Sequence, residues 1–223
     1  MITQTVSTPT GDVSLAIDAA ASPTAVVTLA HGAGADMHHV FMREVAARLA
    51  ARGLTCVRHQ FPYTEAARRR IDPKPVLVAT IGAVVEHVRA AWPTLPLFIA
   101  GKSMGGRMAT WLAADSELPG VRGVILLGFP LHPRGAVSTE RAAHLPRLTL
   151  PSLFVHGTRD ELGAIELLRT VLPPAARLHV IEHADHGFAV LKRSGRTGDA
   201  VLDELADAVT TFVTDVTRGT VRT

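Results

Sequence analysis

The chain has 223 residues, the length of one compact domain, and is long enough to bury most of its apolar surface. Hydrophobic residues make up 47% and aromatics only 4%, so the core is expected to consist of Ala, Val, Leu and Ile, and neither a disordered chain nor a disulfide scaffold fits. Lysine and arginine total 23 against 20 acids, a net charge of +3 spread along the chain apart from Arg68, Arg69 and Arg70, without the basic groove and interleaved aromatics of a nucleic-acid binder.

A lone cysteine, Cys56, permits no internal disulfide, and residues 1–19 lack a basic start followed by an apolar run. No apolar stretch approaches the roughly 20 residues needed to cross a bilayer. The expectation is a cytoplasmic protein with no membrane and no nucleic-acid partner. Nothing in the sequence speaks to its oligomeric state.

Thr3 to Ser7 and Val13 to Asp18 flank a Thr-Gly-Asp turn and read as an antiparallel hairpin at a sheet edge. Ala25 to Ala30 is a short buried strand, after which Asp36 is expected to cap a helix carrying Val40, Phe41, Val45 and Leu49 and stopped by Gly53. Leu54 to Arg58 forms the next strand, and Leu77, Ile81, Val84, Val85, Val88 and Trp92 recur at helical spacing up to Pro93. Leu95 to Ala100 then runs through Gly101-Lys102-Ser103-Met104-Gly105-Gly106 into a helix with Met108, Trp111 and Leu112. Val121 to Leu127, Ser152 to His156 and Leu178 to Ile181 complete the strands, with helices near Ala164 to Leu172 and Val201 to Val216. Strands apolar throughout are buried on both faces, so the expected fold is α/β: a doubly wound, mostly parallel sheet covered by helices on each side. Residues 1–223 are read as one domain, with a short cap-like insertion at about 129–150.

In an open parallel sheet, ligands bind in the crevice beyond the carboxyl ends of the strands. His31-Gly32-Ala33-Gly34, Ser103, Asp160 and His186 each follow a separate predicted strand. Gly101-Lys102-Ser103-Met104-Gly105 matches G-x-S-x-G, in which the serine sits on a strained strand-to-helix turn and flanking glycines avoid collision. A serine hydroxyl needs an imidazole to take its proton and a carboxylate to orient that imidazole. Asp160 and His186 follow later strands in the chain order Ser, Asp, His, so the expected catalytic residues are Ser103, Asp160 and His186. The N–H groups of Ala33 and Met104 are the expected oxyanion donors. His31, Gly32, Gly34, Tyr63, Phe129, Leu131 and His132 are candidates for the substrate pocket. Blander readings stand beside these. Glycine-rich turns also serve phosphate binding or plain packing, Asp160 can cap a helix, and Phe61-Pro62-Tyr63 can be a packed loop. His183 competes with His186 but lies nearer the strand end, and Asp185 is read as solvated. The remaining histidines show no metal-ligand spacing, so no metal and no cofactor are expected.

The segments His31-Gly32-Ala33-Gly34, Phe61-Pro62-Tyr63, Gly101-Lys102-Ser103-Met104-Gly105-Gly106, Gly128-Phe129-Pro130-Leu131-His132-Pro133 and Gly157-Thr158-Arg159-Asp160 occur in this order. Together they resemble a dienelactone-hydrolase-related α/β-hydrolase over roughly Ala25 to Val213. More narrowly, they resemble the branch that includes a testis-expressed hydrolase-like protein, a regulatory subunit of a histone acetyltransferase complex and many bacterial relatives. The resemblance implies Ser103 as nucleophile, Asp160 as acid and His186 as base. Dienelactone hydrolases carry cysteine at the elbow where this chain has Ser103, so it implies the hydrolase machinery rather than the dienelactone substrate. The expected activity is cleavage of a small carboxylic ester or thioester through an acyl-enzyme on Ser103. The alternatives are a non-catalytic interaction scaffold on the same fold, or an acyltransferase or peptidase using the same triad.

Overall fold

The computed structural model of the chain describes residues 2–220. Its first hairpin pairs β1 (Ile2–Thr8) with β2 (Gly11–Asp18), both antiparallel to their neighbours, and β2 leans on β4 (Leu54–His59). From β3 (Ala25–Ala30) onward every pairing is parallel. With β5 (Leu97–Lys102), β6 (Val121–Leu127), β7 (Ser152–Arg159) and β8 (Ala176–Asp185), the eight strands lie in the order β1-β2-β4-β3-β5-β6-β7-β8. The α/β reading from apolar strands therefore holds. All six residues of β3 and of β4 are buried, as a strand covered on both faces must be.

Two separate cores explain that double burial. On one face α3 (Lys74–Ala91) and α4 (Met104–Asp115) bring Leu77, Ile81, Val84, Met108 and Leu112 against Val26, Ile99 and Val124. On the other, α1 (Val40–Ala51) and α6 (Gly198–Thr217) bring Met42, Val45, Leu49, Leu205, Val209 and Phe212 against Val27, Phe98, Ile125 and Val155. Each such side chain contributes roughly 1.5–3 kcal/mol when fully buried. Phe98 and Phe212 meet edge to face at 6.1 Å, two of the few aromatic rings available to a core made of aliphatics.

Several element ends differ from expectation for local reasons. α1 starts at Val40 with His39 as its cap, the imidazole accepting from Phe41 N–H at 3.3 Å. Asp36 instead closes a turn of its own by accepting from His38 N–H at 2.7 Å, so it is not the helix cap. Two further short helices are α2 (Pro62–Glu65), where proline occupies the first helical position, and α5 (Ile165–Arg169). The segment between β6 and β7 holds only two short 3₁₀ turns, Glu140–Ala142 and Leu145–Arg147. It is pinned where Leu131 and His132 N–H both donate to Leu162 O, at 2.8 and 3.1 Å. No helix among the described residues is long and apolar enough to cross a membrane.

Candidate active site

The turn from β5 into α4 creates the site. Ser103 adopts φ 50° and ψ −111°, a strained conformation for a residue with a side chain, and its N–H donates to Leu127 O at 3.0 Å. The sharpness of the turn leaves no space beside it. A Cβ on Gly101 would lie 2.3 Å from Gly106 N, and one on Gly105 would lie 2.6 Å from the carbonyl oxygens of Ala30 and His31. The flanking glycines are therefore steric requirements of the turn.

Asp160 follows β7 and His186 follows β8, and β8 neighbours β7, which neighbours β6 and then β5. This adjacency brings three side chains from distant stretches of the chain together. His186 Nδ1 is 2.7 Å from Asp160 Oδ2, and His186 Nε2 is 2.8 Å from Ser103 Oγ. An ionised carboxylate only accepts, so Nδ1 carries the proton and Nε2 presents a lone pair to the serine hydroxyl. Asp160 Oδ1 accepts from Leu162 N–H at 2.8 Å, which fixes the carboxylate plane. Burial alone would raise the Asp160 carboxyl; the His186 hydrogen bond, followed by the attraction of His156 and the Leu162 N–H, holds it below the ordinary carboxylate value.

The surroundings contain groups that sequence reasoning passed over. Asp185 is not simply solvated: its Oδ1 accepts from Gly187 and Ala189 N–H at 2.8 and 2.9 Å, tying down the loop that presents His186. His156 sits four residues before Asp160, with Nε2 2.6 Å from Gly163 O and 3.4 Å from Asp160 Oδ2. That spacing was the only sequence signal for it. Lys102, inside the elbow motif, reaches the same spot. A Cβ on Gly128, which has φ +69°, would lie 3.2 Å from Lys102 Nζ, 3.4 Å from His186 Nδ1 and 3.5 Å from Asp160 Oδ2. Burial lowers the Lys102 ammonium to about 8, against the opposing pull of Asp160 and Asp185. His183, the competing histidine, is exposed on β8, and its backbone N–H donates to Thr158 Oγ1 at 2.7 Å.

The N–H groups of Ala33 and Met104 donate no hydrogen bond among the described residues, and both residues line a cavity of about 310 Å³ that also contains Ser103. The other pocket candidates separate into three environments. Gly32 approaches the elbow, since a Cβ there would lie 3.5 Å from Ser103 Cβ. Gly34 and Tyr63 line a neighbouring open depression, and burial followed by the charge of Asp72 pushes the Tyr63 phenol up to about 12. His31 is fully buried beneath, its ring 2.9 Å from Gly32 O and 3.2 Å from Thr64 Oγ1, and burial lowers its pKa. Phe129 does not line the cavity. Its ring packs on Phe154 at 5.7 Å inside the core, because Gly128 turns the chain inward after donating to Val155 O. Leu131 is likewise buried, bordering with His132 a second cavity further along α4.

Comparison with known proteins agrees with this architecture. A family model described as an alpha/beta hydrolase domain matches residues 23–214. An α/β serine hydrolase homologue from Coxiella burnetii is 22% identical, with a TM-score of 0.75 over 94% of this chain and 96% of that one. A serine hydrolase without a lid from Xanthomonas campestris is also 22% identical, with a TM-score of 0.73 over 96% and 93%. The dienelactone hydrolase of Anabaena variabilis is 20% identical, with a TM-score of 0.76 over 96% of each chain. These likenesses are of fold.

Proposed function

We propose that this chain, which belongs to the alpha/beta hydrolase domain family, is a serine hydrolase cleaving a small carboxylic ester or thioester through an acyl-enzyme on Ser103. One observation carries the reading: the unbroken chain of hydrogen bonds from Ser103 Oγ through His186 to Asp160, at 2.8 and 2.7 Å. In the first half-reaction Ser103 Oγ attacks the acyl carbon while its proton passes to His186 Nε2, leaving an imidazolium that the Asp160 carboxylate stabilises. The free N–H groups of Ala33 and Met104 receive the negative charge that develops on the carbonyl oxygen, each such donor being worth about 2.7–4 kcal/mol in comparable sites. His186 then protonates the departing alcohol or thiol. In the second half, water gives a proton to His186, its oxygen attacks the acyl carbon, and the acid leaves as Ser103 regains its proton.

The names of the neighbours point the same way, two being serine hydrolases and one described as lidless. The segment at 129–150 is proposed as a small cap, contributing Pro130 and Arg141 to the cavity wall. Labelling with a fluorophosphonate, together with a panel of short to long acyl esters, tests the proposal. Wild type should label and turn over the shorter esters, and Ser103→Ala should do neither. Equal labelling of both proteins, or esterase activity that survives the substitution, overturns it.

A further inference from the structure

The arginines among the described residues follow a pattern with two exceptions. Those that are partly or fully buried have carboxylate partners: Arg48 with Glu44, Arg52 with Asp207, Arg58 with Asp18, Arg177 with Asp215 and Arg196 with Glu204. Those without a partner, such as Arg43, Arg122 and Arg169, lie in solvent. Among the described residues only Arg107 and Arg141 are partly buried without an ion pair or a side-chain hydrogen bond, and the buried Nε of Arg107 is among the unsatisfied polar atoms. Both line the cavity that holds Ser103.

Their placement follows from the helix. Arg107 N–H donates to Ser103 O at 3.0 Å, so the two residues lie one turn apart on the same face of α4, about 6 Å along its axis. Arg141 arrives from the segment before β7, close enough that its charge, after burial, lowers the pKa of Arg107. Lys74 adds a third cation to the same wall, its Nζ held 3.5 Å above the Trp111 ring. The acids nearby do not balance this charge. Asp72 lines the cavity with one oxygen on Arg68 at 2.9 Å and the other buried without a hydrogen-bond partner, a single carboxylate against three cations, and Glu140 lies exposed at the adjoining cavity. Two partly desolvated guanidiniums side by side repel each other unless an anion bridges them, and their planar forks match the paired oxygens of carboxylate and phosphate.

We infer that Arg107 and Arg141, with Lys74 beside them, form an anion-binding subsite that selects esters or thioesters bearing a carboxylate or phosphate about one helical turn from the scissile carbonyl. The inference rests on the reading of Ser103 as nucleophile and specifies which substrates that nucleophile meets. Arg107 and Arg141 are specificity-determining residues in it, apart from the reacting atoms.

The test compares a neutral 4-nitrophenyl butyrate with its anionic counterpart, the 4-nitrophenyl half-ester of glutarate, on wild type, Arg107→Gln, Arg141→Gln and Arg122→Gln. The readout is the ratio of kcat/KM for the anionic to the neutral ester, which is independent of how much protein is folded. The ratio should exceed one in wild type and fall at least about tenfold in the Arg107 and Arg141 variants. It should not move in Arg122→Gln, which removes the same charge from an exposed position at the start of β6. A ratio below one, or a fall no larger than that of Arg122→Gln, overturns the subsite. In parallel, glutarate and inorganic phosphate are titrated calorimetrically into Ser103→Ala, and the tighter of the two identifies the headgroup. Binding should weaken with salt and disappear when Arg107→Gln is added, and no binding of either anion overturns the inference. Should no ester be turned over and no probe react, the reading of Ser103 fails while the titration still decides the subsite.

Discussion

Along the seam where α1 meets α6, Arg48 bonds Glu44 and Asp199 at 2.5 and 2.7 Å, and Arg52 bonds Asp207 and Asp203 at 2.7 and 3.1 Å. At the opposite region, the rim above the carboxyl ends of the strands, Arg107 and Arg141 are unpaired, Lys102 is partly buried beside the His186–Asp160 pair, and Ser103 is held at positive φ. The seam pairs both Arg48 and Arg52 locally, with carboxylates whose side chains are 45% to 84% exposed. The rim keeps charge, strain and free N–H groups unresolved, which is what a surface that must complete itself with a substrate requires. The difference teaches that in this chain pairing, more than the count of charges, separates scaffold from site.

The sharpest way to break that contrast is Asp160→Asn. The carboxamide so introduced would keep the acceptor for Leu162 N–H but point an NH₂ group at His186 Nδ1, where a donor now stands. The imidazole would have to expose its protonated nitrogen to Ser103 and could no longer act as a base. On the rim this should cost about 10⁴-fold in kcat/KM, equivalent to about 5.5 kcal/mol, while the urea midpoint changes little. Activity within about tenfold of wild type would mean that the hydrogen-bonded chain is not the catalytic one.

Acid should act on the rim through the histidines beneath it. His59, at the end of β4, is fully buried, and burial lowers it to about 4; His144 is lowered to about 4 by burial and then by Arg147, and His31 and His156 are lowered by burial as well. His59 and His144 stay neutral when folded down to about 4 but take up protons when unfolded as pH falls through about 6.5. The unfolded chain then binds more protons, so stability is fully present above that value and declines between about 6.5 and 4. The slope is roughly 1.4 kcal/mol per pH unit for each histidine kept neutral. Urea unfolding at several pH values should show His59→Gln removing about one proton's worth of that slope, and an unchanged slope would contradict the buried-neutral assignment.

How much of this was readable in advance depends on range. The strands were legible because residues such as Val26, Val27 and Leu29 are apolar and nearly consecutive, and the elbow was legible because Gly101, Ser103 and Gly105 are compressed into five positions by steric need. Asp160 and His186 could be placed because sheet order follows chain order from β5 onward. The anionic preference was not legible. Whether an arginine is paired depends on residues such as Asp199, 151 positions from Arg48, and no local pattern distinguishes Arg107 from Arg52. Phe129 failed as a pocket candidate for a related reason. A phenylalanine after a strand end reads the same whether the next backbone turn aims it at the cleft or, as Gly128 does, at Phe154.

The smallest expected effect sharpens the comparison from the seam's side. Arg52 lies between Asp203 and Asp207, carboxylates whose side chains are 50% and 68% exposed, so water competes for both pairs and the ions are screened. Arg52→Gln should therefore cost no more than about 1 kcal/mol of stability at low ionic strength. The loss should shrink towards zero near 1 M salt, where the screening length falls to about 3 Å. Because α1 and α6 pack on the face of the sheet away from α4, kcat/KM for both the neutral and the anionic ester should stay at wild-type values. A loss of ester selectivity in Arg52→Gln would show that the rim reads the net charge of the whole molecule, and the division between a self-paired seam and a substrate-completed rim would then have to be given up.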